Sequence, residues 1–99
     1  MAIYILLSKL TAWGKNKIME HPDRVLEVNK EIEEFGAKVL SQYATLGAYD
    51  FVNVVEAPDN SSIARLSLAL GSRGTIEITT LPATSSTEFI SKLKSEFHK

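Results

Sequence analysis

The 99-residue chain contains no cysteine. That excludes disulfides, thiolate catalysis, and zinc, haem or iron–sulfur clusters held by cysteine. Charge of either sign is equally scarce: 11 Lys+Arg face 12 Asp+Glu, for a net charge of −1. Nothing electrostatic therefore invites nucleic acid or an anionic membrane. No apolar run approaches the ~20 residues of a membrane span. The opening MAIYILLSKL is apolar only from Ile3 to Leu7 and lacks a basic n-region, so it reads as a strand and not as a signal peptide. No repeat or low-complexity segment breaks the chain, and its length suits one domain over residues 1–99 that buries roughly two-thirds of its unfolded surface. A cytoplasmic setting is expected, with no cofactor and no metal.

What is present is a regular succession of elements. Residues 3–10 are strand formers, with Ile3, Ile5 and Leu7 on one side of the pleat and Tyr4 and Leu6 on the other. A strand with one wet face would alternate, so this one is expected to be covered on both sides. Thr11 can cap a helix running through Ile18, which is interrupted at EHPDR because Pro22 disfavours helical geometry at His21. Val25, Val28, Ile32 and Phe35 form the stripe of a renewed helix, and Gly36 stands where a left-handed terminal residue belongs.

Two strand-like runs, 37–46 and 49–57, flank Gly47-Ala48, the pattern of a type II′ two-residue hairpin. In that register Leu46 faces Tyr49, Ala44 faces Phe51, Gln42 faces Asn53 and Leu40 faces Val55. Asp59 can cap a helix with the stripe Ile63, Leu66, Ala69 and Leu70 that ends at Gly71. Residues 75–81 make a fourth strand that Pro82 should end. Ser85 and Glu88 match a capping box for a C-terminal helical extension, 85–99, carrying Phe89, Ile90, Leu93 and Phe97. Its lysines, Lys92, Lys94 and Lys99, alternate with acids and read as a solvated face.

The order βαββαβ plus a terminal helix specifies an α+β, ferredoxin-like antiparallel sheet with its main helices on one face. The strands are nonetheless apolar on both faces. A second copy of the chain is the economical cover for the other face, so a homodimer or higher homo-oligomer is expected.

The hairpin region resembles the GYD domain family, named for a Gly-x-Tyr-Asp turn, here Gly47, Ala48, Tyr49 and Asp50. IYILLSKLT with Gly14 behind it, Pro22, Arg24, VNVVEAPD and SLALGSRG extend the resemblance over residues 3–81. It implies kinship with the dimeric α+β barrels, in which two such sheets pack face to face and often enclose a small-molecule pocket. That group includes small monooxygenases, isomerases and effector-binding domains, whereas the GYD resemblance implies no established activity.

Several residues are candidates for a site. Gln42 and Asn53, opposite one another on an apolar face, are placed to bond each other or a ligand, with Tyr43 and Tyr49 as further hydroxyl donors. Asn53 is expected to look toward the partner's sheet and to orient a mainly apolar ligand. Asp50 suits a turn bond better than a general base, for which no partner is evident. Gly71, Arg73 and Gly74 read as a helix end and turn, since phosphate loops precede helices and do not follow them. His21 lacks a companion ligand, and His98 falls in a terminal tail. Trp13 and Met19 suit packing, or the mouth of a pocket. These features favour a homo-oligomeric ligand-binding or accessory module, with a cofactor-independent monooxygenase- or isomerase-like enzyme and a purely structural unit as alternatives.

Overall fold

A computed structural model describes residues 1–97; His98, read as part of a terminal tail, and Lys99, read as part of a solvated helix face, lie outside the described residues. The elements run β1 (Ala2–Leu10), α1 (Ala12–Glu20), α2 (Arg24–Glu34), β2 (Lys38–Ala44), β3 (Phe51–Ala57), α3 (Asn60–Gly71), β4 (Ile76–Ala83) and α4 (Ser86–Phe97). The sheet is antiparallel throughout in the order β2-β3-β1-β4, the ferredoxin-like arrangement expected from the element order.

Local chemistry sets the boundaries. Thr11 Oγ1 accepts from the Gly14 amide at 3.1 Å and starts α1. Asp59 Oδ1 accepts from the Ser62 amide at 2.8 Å and starts α3, and that backbone bond draws the Asp59 carboxyl below its ordinary pKa. Ser85 Oγ accepts from the Glu88 amide at 3.2 Å at the start of α4. Gly36, Gly47 and Gly74 carry positive φ, while Gly71 closes α3 in helical geometry, so the left-handed residue after that helix is Gly74. Pro82 does not end β4. It pairs with Tyr4 inside the strand, which is tolerated because β4 is an edge and its outer N–H positions need no partner.

The expected hairpin register holds for Ser41 to Ala44, including Gln42 opposite Asn53. It then shifts at a bulge between Val39 and Ser41, so Val39 faces Val55 and Leu40 is the extra residue. The connection is also longer than two residues. β2 stops at Ala44 and β3 begins at Phe51, with Thr45 N–H donating to Asp50 O at 2.8 Å and the Thr45 hydroxyl to Tyr49 O at 2.7 Å. Asp50 is drawn instead to β1: its N–H donates to Ser8 O at 2.8 Å and its Oδ2 accepts from Leu10 N–H at 2.8 Å. Those two bonds hold the loop over the end of β1, and a tight turn would not reach them.

Gly47 sits in that loop at φ +103° with nothing within 4 Å of where a Cβ would be. Substitution there costs backbone conformation alone, about 1 kcal/mol or more. Gly47→Val should lower the melting temperature by roughly 4–8 °C in a thermal unfolding experiment. An unchanged value would mean that the loop does not require this conformation.

One face of the sheet carries Tyr4, Leu6, Val55 and Ala57, which pack with Ile32, Ile63, Leu66 and Leu70 of the helices into the core. The other face carries Ile5 and Leu7 of β1, paired with Val54 and Val52 of β3, flanked by Tyr43 and Leu81. No helix of the described chain packs extensively on it. α4 likewise makes no extensive contact with the rest, and Phe89 and Ile90 remain 57% and 50% exposed. The result is elongated, 57 × 28 × 19 Å with a radius of gyration of 15.5 Å. A compact domain of this length has about 13 Å.

Candidate functional site

The break at Pro22 angles α1 and α2 over the helix-side face, leaving a cavity of about 70 Å³ between them and the sheet. Most of its wall is apolar, built from Ile18, Val25 and Val28 above and Phe51, Ile76 and Ile78 below, with the buried Ser8 on the sheet side and Lys17, Arg24 and Arg73 also in the lining. Three amides enter this setting. Asn29 of α2 and Gln42 of β2 bond reciprocally, at 2.9 and 3.0 Å, and so satisfy each other. Asn53, beside Gln42 in the sheet, is only 6% exposed, and its Oδ1 has no hydrogen-bond partner among the described residues.

The expected site residues are therefore separated. Gln42 and Asn53 lie together, but beneath the helices and not toward a partner's sheet. Because β1 and β3 are apolar on both sides, their pattern gives the parity of Asn53 without saying which parity the helices cover. Tyr43 stands on the opposite face, 64% exposed, and Tyr49 lies in the loop before β3, where its carbonyl accepts from Thr45. Arg73 pairs with Glu31 of α2 and ties the end of α3 to the helix above the cavity.

Asn29 escaped sequence reasoning, since a polar residue on an amphipathic helix reads as solvated. Its only signal was the lone amide beside the apolar stripe of α2.

The cavity continues outward. Lys17, Arg24, Arg73 and Thr75 line both it and a surface groove of about 390 Å³ that also includes Trp13 and His21. Trp13 therefore takes the pocket-mouth position, while Met19 is exposed and lines neither space. Arg24 bonds Glu27 at 3.0 Å, and His21 contacts the same carboxylate at 3.3 Å. The Arg24 bond, followed by that of His21, holds the Glu27 carboxyl below its ordinary pKa. Lys17 lies 5.2 Å from the Trp13 ring centroid and has no carboxylate within salt-bridge distance among the described residues. No group of three His, Asp or Glu side chains placed to hold a metal occurs among those residues, and none of their helices is long and apolar enough to cross a membrane.

The GYD domain family profile matches residues 4–93, from β1 into α4. The chain belongs to the GYD domain family. This GYD protein is also similar to one from Thermus thermophilus named "Glutamine synthetase and cystathionine beta-lyase binding protein". The two are 47% identical over 95 residues, covering 95% of this chain and 100% of the relative. No solved structure matches the GYD chain with comparable significance.

Proposed function

We propose that this GYD protein is a homo-oligomeric accessory protein that binds metabolic enzymes, glutamine synthetase and cystathionine β-lyase among them. The observation that carries this reading is the relative's name together with 47% identity over its whole length. Two apolar surfaces support the oligomer. The sheet face around Ile5, Leu7, Val52 and Val54 is not covered by the chain's own helices, and α4 projects with Phe89, Ile90 and Leu93 exposed. A second copy is the occupant that answers both, because a two-fold axis brings each sheet face onto its equivalent and lets each α4 lie along the other protomer. The enzyme then docks on the assembled oligomer.

The test mixes the purified protein with each enzyme from its own organism and follows the complex by size-exclusion chromatography with light scattering. Co-elution at a fixed stoichiometry is expected, with a dissociation constant in the micromolar range or below. Separate elution of the protein from both enzymes at tens of micromolar would overturn the proposal.

A further inference from the structure

The chamber between α1, α2 and the sheet leaves apolar side chains without full cover. Ile18, Val25 and Val28 of the helices and Phe51, Ile76 and Ile78 of the sheet side all line it, and each is only partly buried although it lies between the layers. Helices packed squarely on the sheet would bury them, since apolar surface removed from water stabilises in proportion to its area. The polar side chains of the lining offer little inside. Asn29 and Gln42 occupy each other, and Ser8 and Asn53 are withdrawn from the space at 1% and 6% exposure. The interior of the chamber therefore favours a hydrocarbon group.

Its entrance has a different character. The residues that line both the chamber and the outer groove are Lys17, Arg24, Arg73 and Thr75, so three cations stand where the two spaces meet, and no carboxylate lines the chamber. Glu27 and Glu31 pair with Arg24 and Arg73 without lining either space. A guanidinium has more N–H donors than one carboxylate can accept, so both arginines keep donors for a further anion. No carboxylate among the described residues lies within salt-bridge distance of Lys17, not even Glu20, which lines the groove only.

Size narrows the ligand further. At about 70 Å³ the chamber is roughly half the ~150 Å³ that holds a benzene ring, which leaves room for about three or four carbon atoms.

We propose that the chamber and its entrance form a binding site for a short aliphatic carboxylate. The hydrocarbon end enters between Val25 and Ile76 and completes their burial, while the carboxylate stays at the entrance and accepts from Lys17, Arg24 and Arg73. The reverse orientation would take the carboxylate away from the cations and leave the hydrocarbon in water. This goes beyond the enzyme-binding role and does not rest on it, since every residue of the site belongs to one chain.

The test titrates isovalerate into protein carrying ¹³C-labelled Ile and Val methyl groups, with acetate as a head-only probe and isovaleramide as the uncharged counterpart of the same shape. Isovalerate should shift the methyl resonances of Val25 and Ile76 and raise the melting temperature, with a dissociation constant in the millimolar range, as suits so small a ligand. Acetate should leave those resonances in place, and isovaleramide should bind about tenfold more weakly. Lys17→Met, at an exposed position, should weaken isovalerate about threefold and leave isovaleramide unchanged. Val25→Phe, which fills the chamber, should abolish the shift at Ile76 and the thermal response. Ile76→Phe, read at Val25, does the same from the sheet side should Val25→Phe fold poorly.

Val25 and Ile76 signals that stay in place at about 50 mM isovalerate, well above a millimolar dissociation constant, would overturn the proposal. Equal binding of isovalerate and isovaleramide would do so too, because the cations would then play no part. An equal response to acetate, or an undiminished response in a folded chamber-filling variant, would show that the chamber does not receive the hydrocarbon. None of these outcomes bears on whether the protein binds glutamine synthetase.

Discussion

Replacing Gly14 by alanine should lower the melting temperature by on the order of 10–25 °C, although alanine is the better helix former by about 0.8–1 kcal/mol. An ideal Cβ at Gly14 would lie 2.0 Å from the carbonyl oxygen of Thr75, inside any attainable contact distance. The obstructing atom is backbone, so no rotamer change removes it. α1 cannot back away either, because its first turn is fastened to the same segment: Thr11 N–H donates to Thr75 O at 3.1 Å and the Thr11 hydroxyl to Gly74 O at 2.8 Å. Relief of the clash breaks those bonds, at roughly 0.5–1.5 kcal/mol each, in addition to about 1–3 kcal/mol for overpacking. The sum exceeds the gain in helix propensity several-fold. Calorimetry on Gly14→Ala beside the exposed control Asn16→Ala separates the two effects. A rise in the melting temperature of Gly14→Ala would show that α1 does not press on Thr75.

The same segment illustrates what could be read from the residues and what could not. The capping roles of Thr11, Asp59 and Ser85 were legible because each depends on a side chain and an amide three residues away, a relation carried wholly by local sequence. Positive φ at Gly36 and Gly47 was legible for the same reason. The contact of Gly14 with Thr75 was not, since 61 positions separate them and nothing in either neighbourhood names the other. The bulge at Leu40 was invisible because one inserted residue leaves an apolar strand apolar. Asp50 was placed near the hairpin correctly, but its acceptor role belongs to Leu10 on a different strand, which no turn rule can supply. Asn53 combines both cases. Its pairing with Gln42 followed from the hairpin register, while the face it occupies depended on which side of a doubly apolar sheet the helices cover.

That ambiguity of faces also yields a large expected difference between two adjacent residues. Val55 is fully buried beneath the helices, whereas Val54, one position earlier, lies on the sheet face that the chain's own helices leave open. Val55→Asp would put a carboxylate into the core with no partner, at an effective cost of several kcal/mol, a large part of the stability of a domain this size. It should not fold, and its far-ultraviolet circular dichroism should show this directly. Val54→Asp should fold, because in a single protomer the new carboxylate faces water. The proposed dimer, in contrast, buries the residue twice, once from each copy, and places the two charges close to the symmetry axis. A combined penalty of even 4–6 kcal/mol raises the dissociation constant roughly 10³- to 10⁴-fold, at 1.4 kcal/mol per tenfold. Sedimentation equilibrium at micromolar concentration should then give a dimer or higher oligomer for the wild type and a monomer with native secondary structure for Val54→Asp. A wild type that is monomeric, or a Val54→Asp protein that keeps the wild-type mass, would remove the sheet face as the contact between copies. In that event α4, with Phe89, Ile90 and Leu93 along its exposed side, would remain as the apolar surface for a second chain to cover.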